Sequence, residues 1–275
     1  MIQMMPVVHE ITCKSLLNKS GIPGIDYTVN PYTGCLHACA YCYARFMARH
    51  TGHGMPWGSF CDVKVNALEI LEKELRKRPT GLVSLSTVTD PYQSPESKYG
   101  LTREILIRLA SAEFPVSILT KSDGVLRDLD VLKRFPAGSI EVGFSLNTAD
   151  DAVCRVFEPG APPASKRIRA LKILHAEGIR TWVFLAPLLP VLSERSLTVL
   201  MDEIAGSVDR VLADALNLKC GNWKGISDAL MGHDPSIHKE WKGLLFSQAR
   251  REAHYRRLFD QIHASCLARG IPAGF

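Results

Sequence analysis

What this sequence has little of sets its first limits. Charge of one sign is scarce: 33 Lys and Arg stand against 28 Asp and Glu, a formal net charge of +5 over 275 residues. That excess permits contact with nucleic acid or another anion without demanding it. Long apolar runs are missing. The most apolar stretch, residues 181–192, is interrupted by Pro187 and Pro190 and is too short to span a bilayer, so no membrane partner is expected. The opening MIQMMPVVHE has no basic segment followed by an apolar one, and no secretory signal is read there. Cysteine is present without a pairing pattern. Eight in a chain this long make no disulfide scaffold, and Cys13, Cys61, Cys154, Cys220 and Cys266 are scattered and odd in number. A reducing compartment, the cytoplasm, is the expectation. Wholesale disorder is excluded by 46% hydrophobic against 22% charged residues.

The other three cysteines are concentrated. Residues 30–45 read NPYTGCLHACAYCYAR, with Cys35, Cys39 and Cys42 as C-x-x-x-C-x-x-C. Thiolates this close can wrap one side of a small iron–sulfur cluster. A closed tetrahedral zinc site wants four protein ligands, and the run stops at three. A [4Fe–4S] cube held by three thiolates keeps one iron open for chemistry. The competing reading is a zinc-dependent nucleic-acid-binding module with His37 or Cys61 as fourth ligand. A third is a non-catalytic iron–sulfur redox sensor.

Around this run the chain alternates. Strand-like segments at 27–32, 82–86, 116–119, 140–146, 181–185 and 211–216 are separated by helical stripes such as Leu101, Ile105 and Leu109. Six βα units predict an α/β fold with a parallel sheet and helices outside. Six rather than eight predicts a partial (β/α)6 TIM barrel, open on one side, within a single domain 1–275. The expected layout is an irregular lead-in at 1–26, the partial barrel at 27–217 with the cysteine loop at 30–45, and a C-terminal helical extension at 239–275. Functional residues in such folds gather at the carboxyl ends of strands. Those positions hold Thr87, Thr89 and Asp90, then Thr120 and Lys121, Ser145 and Asn147, Ala186 and Pro187, and Asn217 and Lys219.

The C-x-x-x-C-x-aromatic-C pattern, with Tyr41 in the aromatic slot, resembles the signature of the radical S-adenosylmethionine (SAM) superfamily. The segments TDPYQSPE (89–96), Thr120-Lys121, FSLNT (144–148), FEPG (157–160), KRIRALKILHAEGI (166–179) and Ala186-Pro187 resemble its spore photoproduct lyase branch. Residues 46–64 also look like small relatives encoded as radical-SAM pairs on mobile elements, which makes a second radical SAM protein a partner to look for. The resemblance implies the (β/α)6 fold, a [4Fe–4S] cluster on Cys35, Cys39 and Cys42, and SAM chelating the open iron. Reductive cleavage of SAM then gives a 5′-deoxyadenosyl radical that abstracts hydrogen from a substrate, fed by an electron donor of the flavodoxin or ferredoxin type. It implies cofactor contacts too: Tyr41 near the adenine, Thr89 and Asp90 at the methionine ammonium, and Lys121 at the carboxylate. Ser145 and Asn147 would meet ribose or carboxylate, and Pro187 is placed among the cofactor-binding residues. Asp90-Pro-Tyr and Glu158-Pro-Gly also read as simple turns.

Two departures argue against the lyase reaction itself. The lyase returns a hydrogen atom from a further cysteine near the end of its second strand, where this chain reads LSTVTD (85–90). It also carries an N-terminal domain, where residues 1–34 alone precede the cysteine run here. Cys61 and Tyr92 are the substitute donors the sequence offers. The expected substrate is a nucleic acid or nucleotide other than the spore dimer. That expectation rests on the resemblance, the mild positive charge, and Arg250, Arg251, Arg256 and Arg257 on the C-terminal helix.

Overall fold

The computed structural model describes residues 6–218 and 221–274. Its strands in chain order are β1 (Val7–Ile11), β2 (Asn18–Lys19), β3 (Tyr27–Val29), β4 (Tyr32–Thr33) and β5 (Phe60–Lys64). There follow β6 (Val83–Leu85), β7 (Val116–Thr120), β8 (Ile140–Ser145), β9 (Arg180–Leu188) and β10 (Arg210–Ala215). A strand covered on both faces must be apolar on both, and β7 (VSILT) and β8 (IEVGFS) are buried at nearly every position. Seven strands form one sheet in the order β10-β9-β8-β7-β6-β3-β2. Six run parallel; β2 is antiparallel to β3. Among the described residues β10 and β2 are the edges, and β10 takes one further parallel bridge, from Val211 to Ala273. The sheet is therefore the open, partial (β/α)6 barrel that the six segments predict.

Register places the site. Tyr27 pairs with Val83, Val83 with Val116, and Val116 with Ile140. The strands thus start level, and their following loops meet on one side. Helices between them each bury a single stripe: Leu101–Ser111 turns Leu101, Ile105, Leu106 and Leu109 inward. The helix Ala164–Ala176 buries Ile168, Leu171 and Leu174, together with one charged residue, Arg167.

Three expectations need correction. The lead-in at 1–26 is not irregular where it is described: β1 pairs in parallel with β5, and β4 pairs antiparallel with β5, in a second three-stranded sheet. Pairing with a strand far along the chain, rather than local propensity, makes VVHEI a strand. The strand read at 27–32 is split at Asn30-Pro31, where the chain leaves the large sheet for the small one. The helical extension begins before 239, as three helices, Trp223–His233, Pro235–Leu245 and Gln248–Leu267. It is fastened to the barrel: Trp241 stacks on Phe157 at 6.1 Å between centroids. The Tyr255 hydroxyl donates to the Leu188 carbonyl at 3.1 Å and accepts from the Leu216 amide at 3.3 Å. Lys219 and Cys220 lie outside the described residues, as do residues 1–5 of the lead-in.

Candidate active site

Loops that follow the parallel strands enclose a cavity of about 310 Å³. Cys35, Cys39 and Cys42 line it, facing residues 86–90 after β6, Thr120 and Lys121 at the end of β7, and Ser145 at the end of β8. Ala186 and Pro187 of β9 and residues 214–217 at the end of β10 complete the wall.

The cysteine loop is held from both sides. On one side the Thr89 hydroxyl donates to the Gly34 carbonyl at 2.6 Å, and Gln93 Nε2 donates to the same oxygen at 3.2 Å. Gln93 Oε1 accepts from the Leu36 amide at 2.9 Å. On the other side the Ala40 amide donates to the Phe157 carbonyl at 2.8 Å and the Gly160 amide to the His37 carbonyl at 3.0 Å. Gly160 sits so close that a Cβ there would overlap the Leu36 carbonyl oxygen. The TDPYQ and FEPG segments are thus the two jaws of a clamp on residues 34–40.

Burial pushes the Cys39 thiol up to about 12, holds Cys35 well above the ordinary thiol value with help from Asp90, and raises Cys42 as well. Two buried thiols and the half-buried Cys42, facing one cavity, become thiolates only beside added positive charge, which bound metal supplies. The arrangement does not suit a single zinc ion. Zinc–sulfur bonds of about 2.3 Å keep any two sulfurs within about 4.6 Å. Among the described residues the three cysteine sulfurs are not all within 4.8 Å of one another. Cys61, the proposed fourth ligand, is absent from the cavity wall. His37 turns its Nδ1 to Asp90 at 3.4 Å, and burial holds its pKa below the usual imidazole value. Wider spacing around a cavity fits a cluster.

Asp90 lines the cavity, but its carboxylate is occupied. Oδ1 accepts from the Tyr92 amide at 2.9 Å and the Thr120 hydroxyl at 2.8 Å, and Oδ2 accepts from the Lys121 amide at 2.8 Å. With His37 at 3.4 Å, the roughly four acceptor positions of a carboxylate are filled. Both readings of the segment meet here: it is a turn, and the turn ties the ends of β6 and β7 together beside the cysteine loop. The ammonium contact expected of Asp90 and Thr89 has no free oxygen on Asp90 to accept it, and the Thr89 hydroxyl proton is spent on Gly34.

Beneath Tyr41 lies a buried polar network that sequence reasoning missed. Glu158 accepts from the Tyr41 hydroxyl and pairs with Arg167, the two charged side chains being 1% and 0% exposed. Arg167 also donates to the Ser145 carbonyl at 3.0 Å and the Pro162 carbonyl at 2.8 Å. Asn147 Nδ2 donates to the Tyr41 oxygen at 3.1 Å, so Asn147 orients Tyr41 rather than lining the cavity. Burial works to raise the Glu158 pKa, but Arg167 and then Lys121 outweigh it and hold the carboxyl below its ordinary range. Burial likewise opposes the charge on Lys121, and Cys39 and Glu158 outweigh it. The Lys121 ammonium sits 5.7 Å from the centre of the Tyr41 ring.

The structure does not bring the two expected hydrogen donors to the cavity. Cys61 lies on β5 in a separate apolar cluster with Tyr32, Val63 and Leu101, its thiol pushed up to about 12 by burial and by Asp62. Tyr92 is buried with its ring 6.0 Å from the Arg127 guanidinium. Neither faces the space between the cysteines and Lys121, because β5 belongs to the other sheet and the Asp90 turn directs Tyr92 away. Tyr43 and Trp57, which the sequence did not single out, do line the cavity, and the Tyr43 hydroxyl donates to the Thr87 carbonyl. Asn30 was missed as well: its Oδ1 accepts from the Thr87 and Val88 amides at 2.9 and 3.1 Å, shaping the loop after β6.

Comparison with known proteins agrees with this geometry. An uncharacterized protein of Methanocaldococcus jannaschii is 41% identical over 183 residues, spanning 66% of this chain and 68% of the relative. An uncharacterized protein of Mycobacterium tuberculosis is 36% identical over 211 residues, 72% of this chain and 62% of the relative, so the chain spans less than two thirds of that protein. Among solved structures, a spore photoproduct lyase mutant with bound AdoMet and dinucleoside spore photoproduct superposes with a TM-score of 0.72 at 15% identity. It covers 97% of this chain and 80% of that one, a likeness of fold. Residues 29–204 match the family described as the Radical SAM superfamily. The chain belongs to the Radical SAM superfamily, whose members use a [4Fe–4S] cluster and SAM.

Proposed function

We propose that this protein is a radical SAM enzyme in which Cys35, Cys39 and Cys42 ligate a [4Fe–4S] cluster and the remaining cavity holds SAM. The observation that carries the reading is the convergence of three thiols from one clamped loop on a cavity that Lys121 also faces. When bound, the cluster and SAM together supply a 5′-deoxyadenosyl radical that abstracts hydrogen from the substrate, after an electron arrives from a flavodoxin- or ferredoxin-type donor. The chain's own residues position that chemistry. Lys121 offers a cation to the SAM carboxylate. Tyr41, fixed by Glu158 and Asn147, offers a ring face at the cavity wall, and Pro187 with Phe184 adds apolar surface to that wall. Ser145 donates to the Ala186 carbonyl at 2.9 Å and keeps acceptor positions for a ribose hydroxyl. The test is anaerobic reconstitution followed by iron and sulfide analysis and by release of 5′-deoxyadenosine on reduction with SAM. Stoichiometric zinc in place of iron and sulfide, or no nucleoside released, would overturn it.

The substrate we propose is a nucleic acid or nucleotide other than the spore dimer. Support comes from the dinucleoside ligand of the structural neighbour, the net charge of +5, and the exposed Arg250, Arg256 and Arg257 of the last helix. Counterion release makes such binding fall with salt in proportion to the phosphates contacted. Single- and double-stranded DNA and RNA are to be tested at two salt concentrations with SAM present. Negligible affinity at low salt, or no loss when Arg250, Arg251, Arg256 and Arg257 become Ala, would exclude this substrate class and leave the cluster assignment standing.

A further inference from the structure

Parallel pairing of β1 with β5 sets His9 directly against Asp62, and the loop at 51–59 brings His53 to the same carboxylate. His9 Nδ1 lies 3.1 Å from Asp62 Oδ1, and His53 Nε2 lies 3.2 and 3.3 Å from the two carboxylate oxygens. One ligand atom from each residue falls within 4.8 Å of the other two. None of the three lines the cavity described above. From these positions we propose a second metal site, in which two imidazole nitrogens and one carboxylate take a divalent transition-metal ion and leave coordination positions open to water.

The spacing suits such an ion. Bonds of about 2.0–2.2 Å to imidazole and carboxylate set ligand-to-ligand edges of about 3.0 Å at right angles and about 3.4 Å at tetrahedral angles. The observed separations fall between. Charge argues the same way. The Asp62 side chain is 3% exposed, and among the described residues its ion-pair partners are these two histidines. With no Lys or Arg paired to it among the described residues, this buried carboxylate is balanced by a bound cation. His9 and His53 are 38% and 23% exposed, which gives the ion a path from solvent. Two imidazoles with one carboxylate suit zinc and neighbouring first-row ions.

The ion would act on the cavity through the loop it fastens. The His53 ring meets Phe60 edge-on at 4.5 Å, and Trp57 meets the same ring at 6.0 Å. Trp57 lines the cavity. A Cβ on Gly58 would fall 2.8 Å from that of Ala38, between two of the cluster cysteines. Metal at His9, His53 and Asp62 therefore staples the loop at 51–59 against the cysteine loop.

The test uses full-length, metal-stripped protein titrated with Co(II) and then Zn(II). Cys35, Cys39 and Cys42 are changed together to Ala in one sample, and the reconstituted native protein serves as a second. One Co(II) should bind with d–d absorption and without thiolate charge-transfer bands, and Zn(II) should displace it. Loss of groups that merely orient a ligand costs about 10–100-fold in affinity, so Asp62→Asn and His9→Gln should each weaken binding by more than about a hundredfold. His9 is part-exposed, so the metal-free melting curve of His9→Gln should match that of its parent. Should the triple variant fail to fold, zinc bound per chain in native holoprotein and in its His9→Gln form gives the same comparison. No Co(II) or zinc bound beyond the cluster iron, or equal binding in His9→Gln, would reduce the trio to a hydrogen-bonded His–Asp–His group and overturn the proposal.

Discussion

Replacing Asp90 with Asn keeps the shape of the side chain and removes its charge. Asparagine can still accept from the Tyr92 amide and the Thr120 hydroxyl through Oδ1, but it turns an NH2 toward the Lys121 amide, donor against donor. A hydrogen bond to a charged acceptor contributes about 1.5–3 kcal/mol. Losing one outright and weakening two others puts the cost at about 3–4 kcal/mol on the same scale. At about 2 °C per kcal/mol for a chain of this size, the melting temperature should fall by about 6–8 °C. Iron should fall with it, because Asp90 faces His37, which lies between Cys35 and Cys39. The assays are thermal unfolding of the apo chain, iron per chain after anaerobic reconstitution, and SAM affinity by calorimetry. A direct ammonium contact predicts the reverse pattern. If Asp90→Asn melted and held iron like its parent while SAM affinity fell tenfold or more, the clamp would be refuted.

Three further outcomes test the site. Cys35→Ala, Cys39→Ala and Cys42→Ala should each lose most of the iron while Cys13→Ala, Cys61→Ala and Cys266→Ala retain it; equal iron in all six would remove the ligand assignment. Glu158→Ala leaves Arg167 charged and unpaired in the interior, a cost of about 3–5 kcal/mol, whereas joint replacement by Leu and Met should recover much of it; a single-variant cost below about 1 kcal/mol would show the pair to be marginal. Gly160→Ala should push the cysteine loop off the FEPG jaw and lower iron retention. Gly21→Ala, which meets nothing within 4 Å, should not; identical iron in the two would argue that residue 160 does not position the loop.

How much of the fold is legible follows from where each strand's partners lie. Five of the six parallel strands stand out because most of their positions are buried, leaving apolar runs between helical stripes, whereas β10 fully buries only Val211 and reads more weakly. β5 is buried at four of its five positions, yet it follows a glycine-rich loop and only a short 3-10 helix, Tyr43–His50, and so breaks no alternation. β1 is half exposed and carries His9 and Glu10; only its neighbour makes it a strand. The split at Asn30-Pro31 hides for a related reason. Proline marks a break, but not that the next residues join another sheet. The early start of the C-terminal helices depends on residues such as Trp241, fully buried against Phe157, a contact between segments far apart in sequence.

The site divides along the same line. The three cysteines are legible because cluster ligands from one loop carry a local spacing. Which strand-end groups remain free for a ligand is not legible, because that depends on the partners they find first. Thr89 spends its proton on Gly34, Ser145 on Ala186, and Asp90 fills its oxygens with Tyr92, Thr120 and Lys121. Glu158 looks like a turn residue until Arg167 folds back over it. The rule that polar groups collect at strand ends thus finds the rim but overstates how many of its groups reach a cofactor. Of the charged side chains predicted there, Asp90 lines the cavity with its carboxylate already bonded, and Lys121 lines it as well. A rim whose hydroxyls and carboxylates are already bonded to one another is rigid before any ligand arrives. Rigid placement of three thiols and one ammonium around a common space is what positioning catalysis asks of a protein, and it explains why so many polar residues at this rim serve the loop that carries the cysteines.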